Sequence, residues 1–195
     1  SSGSAIVFTN YNNERVVVDG TTPITSNWTQ VGSSNIWRTK LSADIWQLFL
    51  NWEEQVMARW PNAKFSDDTI WDNDNYWAKG TIDDDENAYS NGTIIDDPYT
   101  NSAGTSIDLS ATSFDLDETN KQAIAILNLG SFKTWSRLVT SHSGNTFNYA
   151  TVPTWKTKHH YYYLEGRKEF LDQEGEWWYD TYNNADSLYY YAANG

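Results

Sequence analysis

Strand signals dominate the pattern of apolar and polar positions along this chain. Ala5-Ile6-Val7-Phe8 and Arg15-Val16-Val17-Val18 are short apolar or β-branched runs, separated by Asn12-Asn13, with Asp19-Gly20 closing the second. Continuous runs of this kind suit strands buried on both faces. Ile45-Trp46-Gln47-Leu48-Phe49-Leu50 and Gln55-Val56-Met57-Ala58-Arg59-Trp60 flank Asn51-Trp52-Glu53-Glu54 and predict a hairpin. Pro61-Asn62 stops its second strand, because proline cannot donate to a ladder. Glu53, Glu54 and Gln55 favour helix, so a helix over 43–59 is the competing reading.

Residues 66–120 are rich in Asp, Asn, Gly, Ser and Thr, with apolar islands at Ile82, Ile94-Ile95 and Ile107 to Leu109. That pattern predicts long loops with brief strands. Gln122 to Leu129 and Arg137-Leu138-Val139 read as strands around Gly130, and Phe147 and Tyr149 alternate with Asn148 as in a half-exposed strand. In the last forty residues Tyr161–Leu164, Phe170-Leu171, Glu176–Tyr179 and Leu188–Tyr191 read as strands. Gly166, Glu174-Gly175 and Asn183-Asn184 supply the turns between them. No fixed-period repeat is visible.

Composition narrows the class. The 195 residues include 11 Trp and 13 Tyr but no Cys, and hydrophobic residues are 39% against 20% charged. A disordered chain lacks aromatics and carries more charge, so one folded domain, with or without a large insertion, is expected. Disulfides and thiolate metal sites are excluded. The net charge of −13, from 26 acidic and 13 basic residues, argues against a nucleic-acid partner, which needs a basic stripe. No apolar run reaches the roughly 20 residues of a membrane-spanning helix, so no membrane partner is expected. Acidity suits a secreted protein in a salty medium, and the lack of cysteine permits a bacterial extracellular origin. Ser1-Ser2-Gly3-Ser4 reads as a processed terminus, a cloning scar or the start of a piece of something longer.

The candidate chemistry follows from the aromatics. The C–H face of a pyranose stacks on an aromatic ring while its hydroxyls seek convergent hydrogen-bond partners. Most of these rings are expected to fill a β-rich core. Trp46, Trp60, Trp71, Trp77 and Trp177 are the candidate sugar platforms, with Arg59 or His160 contacting acidic groups. Glu165, Glu169, Asp172, Glu174, Glu176 and Asp180 lie among aromatics and are raw material for glycoside hydrolysis, which needs two carboxyls about 5 to 9.5 Å apart. Calcium is the one candidate ion, at Asp72, Asp74 and Asp83, since it seeks six to eight oxygens. Asp72-x-Asp74 starts like an EF-hand loop, but Trp77 stands where that loop needs Gly and Asp83 where it needs Glu. No other cofactor is expected, and no triad, P-loop or dinucleotide motif occurs.

Three phrases carry a family resemblance. Trp46-Gln47-Leu48-Phe49 … Met57-Ala58-Arg59-Trp60-Pro61-Asn62-Ala63 is the first, and Ala123 to Trp135 the second. The third is Tyr163-Leu164-Glu165-Gly166 … Leu171-Asp172 … Gly175-Glu176-Trp177 … Asp180 … Leu188-Tyr189-Tyr190. Together they resemble the N-terminal portion of large bacterial secreted right-handed parallel β-helix proteins, a group that includes glycoside hydrolases and polysaccharide lyases. The resemblance implies an all-β fold, with β-helix-like edge strands and an inserted β-sandwich- or barrel-like module. It divides the chain into β-helix-like strands and hairpin (1–65), a β-rich insertion with long acidic loops (66–158) and aromatic-rich strands returning to the first layer (159–195). It also implies a longer protein whose catalytic groups lie beyond this segment, so no catalytic residue is carried over.

Three functions stay open on sequence alone: an extracellular polysaccharide-binding module, a polysaccharide-cleaving glycosidase or lyase, and a structural module without ligand. An open apolar β edge would be a pairing site, so a homodimer is a further expectation.

Overall fold

A computed structural model describes residues 9–14, 16–17, 19–80, 90–130, 133–153, 161–180 and 186–193. Within them the chain is all-β, and helix is confined to single turns such as α1 (Asn73–Tyr76). A six-stranded sheet runs in the order β1 (Thr29–Gln30), β2 (Ile36–Lys40), β15 (Ser187–Tyr191), β14 (Glu176–Asp180), β4 (Glu53–Met57) and β3 (Leu48–Leu50). A second sheet runs β5 (Arg59–Trp60), β13 (Tyr161–Glu165), β10 (Ile124–Gly130), β11 (Lys133–Ser143), β12 (Thr146–Tyr149) and β7 (Thr93–Ile95), with β6 (Ala78–Lys79) also on β13. β8 (Tyr99–Thr100) and β9 (Ser106–Ile107) form a separate ribbon. Among the described strands β4–β14 is the one parallel ladder, with Val56 opposite Glu176 and Met57 opposite Trp177.

The core sits against the second sheet. The two-residue period of β10 sends Ala125, Leu127 and Leu129 to one face, where none is more than 1% exposed. Tyr162 and Leu164 of β13, Val139 of β11 and Phe147 of β12 are buried with them in one cluster. Each large side chain so buried contributes about 1.5–3 kcal/mol relative to exposure. Gly92 lets β7 approach β12 closely: its φ is +81°, and a Cβ there would lie 2.9 Å from the Tyr149 carbonyl oxygen.

The two sheets share a strand path. The chain leaves the six-stranded sheet at Met57 and enters the second at Arg59, turning on Ala58, which is fully buried and donates its N–H to the Trp177 carbonyl at 2.7 Å. A larger side chain at Ala58 would overpack this joint. The hairpin before it forms and excludes the helix over 43–59, with Leu48 opposite Gln55 and Leu50 opposite Glu53. It is tighter and shorter than the sequence suggests: Glu53 and Glu54 belong to β4, residues 45–47 lie outside β3, and Arg59-Trp60 joins the second sheet. Its turn is Asn51-Trp52, both at positive φ (52° and 72°), the backbone a tight two-residue turn demands.

Some expectations are corrected. Phe170-Leu171 is not a strand: Lys168–Phe170 is a 3₁₀ turn in which Phe170 and Leu171 are both buried. Two adjacent apolar residues carry no period, so neither structure was specified locally. Val16 and Val17 lie outside any strand and are 59% and 43% exposed, while Ala5–Phe8, Arg15 and Val18 lie outside the described residues. The parallel β-helix layer implied by the resemblance is not traced by the described residues, whose single parallel ladder is two residue pairs long.

Candidate functional site

An open groove of about 860 Å³ lies on the β3 side of the six-stranded sheet. Residues 20–26 and 41–50 line it, together with Trp28 and Tyr190. β3 supplies Phe49 and Leu50, which are 41% and 49% exposed, and the segment before it presents Trp46, 86% exposed. Trp28 meets Tyr190 edge to face at 6.4 Å, and the Tyr190 hydroxyl donates to Gln55 Oε1 at 3.0 Å, which fixes that ring. Thr21, Thr22, Thr25, Ser26, Ser42 and Gln47 bring hydroxyl and amide groups to the same walls. Rings beside short polar side chains can hold an amphipathic ligand with apolar faces and hydroxyl edges.

The candidate platforms separate by burial. Trp46 alone of them lines the groove. Trp71 is 71% exposed elsewhere, edge-on to Phe65 at 6.0 Å. Trp60 is half-buried, 6.2 Å from Tyr162 and packed on the core. Trp77 and Trp177, at 8% and 2% exposure, are corrected to core residues that present no ring face to a ligand. The Trp177 indole N–H is already spent on the Gln55 carbonyl at 3.0 Å.

Arg59 is likewise buried, and contact with acidic sugars is corrected to a structural role. Its Nε donates to the Pro61 carbonyl at 2.9 Å and its Nη2 to the Tyr76 carbonyl at 3.1 Å. The guanidinium lies over the Tyr163 ring at 3.7 Å and near Trp77 at 5.7 Å, and Trp77 meets Tyr163 edge-on at 4.8 Å. Burial pulls its pKa down to about 10, against the opposing pull of Tyr163, Glu165 and Glu176. Burial pushes Glu165 up to about 7, with Arg59 pulling it back, and pushes Glu176 up to about 8. Glu176 accepts the Asp172 and Gln173 N–H groups on Oε2, both at 3.0 Å, while its buried Oε1 has no hydrogen-bond partner among the described residues.

The remaining acids are held by neighbours. Asp172 accepts from Asn62 at 2.8 Å, and Glu169 binds Arg167 through two contacts of 3.0 Å. Glu174 accepts the Ala193 N–H. None of the six candidate carboxylates lines the large groove; Glu169 and Asp180 line a smaller cleft of about 200 Å³ with Lys121, Lys168, Trp178 and Tyr189. Asp72 caps α1 by accepting the Asn75 N–H at 3.2 Å, and Asp74 accepts the Tyr161 hydroxyl at 2.6 Å. Asp83 and His160 lie outside the described residues. Among the described residues no three His, Cys, Asp or Glu side chains converge as metal ligands.

Trp28, Asp44, Phe49 and Tyr190 are groove residues that sequence reasoning missed. No local signal marks them, because the groove joins residues 20–50 to Tyr190 through the β2–β15 ladder, where Trp37 stands opposite Tyr190.

Fold and groove together define an all-β protein with an open, aromatic-lined surface site. No family model matches the sequence, and no curated protein matches it. Among solved structures, the chain is similar to one described as a glycoside hydrolase, with a TM-score of 0.56 and 18% identity. The match covers 87% of this chain and 28% of that one. At that identity the likeness is one of fold.

Proposed function

We propose that this chain is a carbohydrate-binding module of a carbohydrate-active, secreted protein, and that it holds a polysaccharide in the Trp46 groove. The observation that carries the reading is Trp46 itself: a ring 86% exposed, standing in an open groove with hydroxyl-bearing side chains. Trp46 shares the groove with exposed Phe49 and Leu50, and an exposed apolar patch rimmed by polar side chains marks an interaction site. The fold likeness to a glycoside hydrolase supports a carbohydrate setting. Binding is favoured over cleavage, because Asp44 is the groove's one carboxylate among the described residues and glycoside hydrolysis ordinarily needs two. Affinity electrophoresis against a panel of soluble polysaccharides tests this. Retention by at least one glycan, lost in Trp46→Ala, is expected; no retention by any overturns it.

A second reading, an assembly module, is favoured by β3. It is an edge strand whose Phe49 and Leu50 are exposed beside Trp52, 59% exposed at the hairpin tip. Such an edge offers pairing to a second copy. Sedimentation separates the two: self-association that glycans do not compete with favours assembly.

A further inference from the structure

The groove's charges say which glycans it takes. Among the described residues its lining contains no Lys, Arg or His, and its one charged side chain is Asp44. Asp44 is held in place, since the Tyr179 hydroxyl donates to its Oδ1 at 3.3 Å. A second carboxylate stands beside the wall: Gln47 Nε2 donates to Glu54 Oε1 at 2.9 Å. Around both lies a chain of net charge −13. A sugar carboxylate or sulfate entering here meets like charge with no guanidinium or ammonium to receive it, whereas a neutral pyranose loses nothing. Arg59, the cation that sequence reasoning offered to acidic sugars, is enclosed by Tyr163 and Trp77 and is 2% exposed.

We infer that the groove between residues 20–26 and 41–50 binds neutral glycans and rejects those bearing carboxylates or sulfates, with Asp44 as the residue that sets this preference. The inference rests on the groove being the glycan site. Charge acts here as exclusion: the aromatic faces and hydroxyls supply attraction, and Asp44 supplies the repulsive element that separates a neutral chain from its oxidised counterpart.

The test uses the whole chain and matched glycan pairs that share linkage and backbone and differ in charge: a soluble β-glucan and its C6-carboxylated derivative, and a linear β-1,4-mannan and β-1,4-polymannuronate. Dissociation constants are measured by calorimetry at low and high salt. For a pair whose neutral member binds, the carboxylated member is expected to bind at least about tenfold more weakly at low salt. In Asp44→Lys that gap closes or reverses. Asp44 is exposed, and an unchanged melting temperature confirms that the variant is folded. Equal or tighter binding of a carboxylated member by the parent chain, or an undiminished gap in Asp44→Lys, overturns the charge rule while leaving the groove a glycan site. Binding of neither member of any pair overturns the glycan reading and this inference with it.

Discussion

The guanidinium carbon of Arg59 lies 3.7 Å from the centroid of the Tyr163 ring, one residue after Ala58 carries the chain from one sheet to the other. Arg59 stands opposite Glu165 in the β5–β13 ladder and spends its donors on the carbonyls of Pro61 and Tyr76. Only a planar fork of donors can stack on a ring and reach two carbonyls in its own plane. Arg59→Met would leave both carbonyls and Glu165 without their partner, and a loss of about 3–5 kcal/mol is expected. Arg59→Lys keeps the charge without the fork and should still lose about 1–3 kcal/mol. Urea unfolding midpoints measure both; a Lys variant as stable as the parent would remove the geometric argument.

Stability should fall as pH rises from about 5 to 8. Burial raises Glu165 to about 7 and Glu176 to about 8 from an ordinary value of 4.5. In that window the folded chain holds protons that the unfolded chain has released, so each step up in pH favours unfolding. The groups facing this pair are Arg59 from β5, Tyr163 from β13 and Asp172 from the turn before β14. For Glu176, fully buried, one pKa unit corresponds to about 1.4 kcal/mol, which caps its contribution at about 5 kcal/mol. Glu118 acts oppositely and only on the acid side: the Lys121 hydrogen bond holds its carboxyl low, so its contribution is lost on acidification. Melting temperatures from pH 4 to 9 should peak near pH 5, and Glu176→Gln should flatten the descending limb. A curve rising from pH 5 to 8 would show that the buried acids are ionised throughout.

Which parts of this arrangement the sequence discloses depends on how local the information is. The Asn51-Trp52 turn is legible because both flanking runs and the positive-φ residue Asn51 lie within one short segment. β12 is legible for the same reason, with Phe147 and Tyr149 buried and Asn148 exposed. β11 is longer than the Arg137-Leu138-Val139 run that marks it, because pairing with β10 and β12 on both sides extends polar residues into strand. The groove and the Arg59 enclosure are illegible locally. Trp46 and Trp177 read alike as aromatic residues within runs that predict strand, and only the sheet order decides that one is 86% exposed and the other 2%.

A buried hydroxyl–carboxylate contact should carry measurable stability. The Tyr162 hydroxyl donates to Asp96 Oδ1 at 2.6 Å, and the Leu109 N–H donates to Oδ2 at 2.9 Å. Asp96 is 3% exposed and Tyr162 fully buried, and burial holds the Asp96 carboxyl above its usual range. Tyr162→Phe keeps the ring that meets Phe147 at 5.2 Å and removes only the donor. A buried oxygen left unpaired costs about 1–3 kcal/mol, which denaturant unfolding resolves. A Phe variant equal to the parent would mean that the pair contributes nothing net.

Trp46 and Trp177 should respond to the same substitution in opposite ways. Trp46 has 86% of its surface open and is not part of the buried core cluster, so Trp46→Ala should leave the melting temperature unchanged. If the ring stacks on a sugar, the same change costs about 1–3 kcal/mol of binding, by analogy with stacking on nucleic-acid bases. Trp177 is 2% exposed and holds the Gln55 carbonyl, so Trp177→Ala opens a cavity and should cost about 3–5 kcal/mol of stability. Calorimetric titration with the best-retained polysaccharide and a thermal melt on each variant separate the two effects. A Trp46→Ala protein that melts early would make that ring structural, and one that binds as tightly as the parent would place the sugar elsewhere on the molecule.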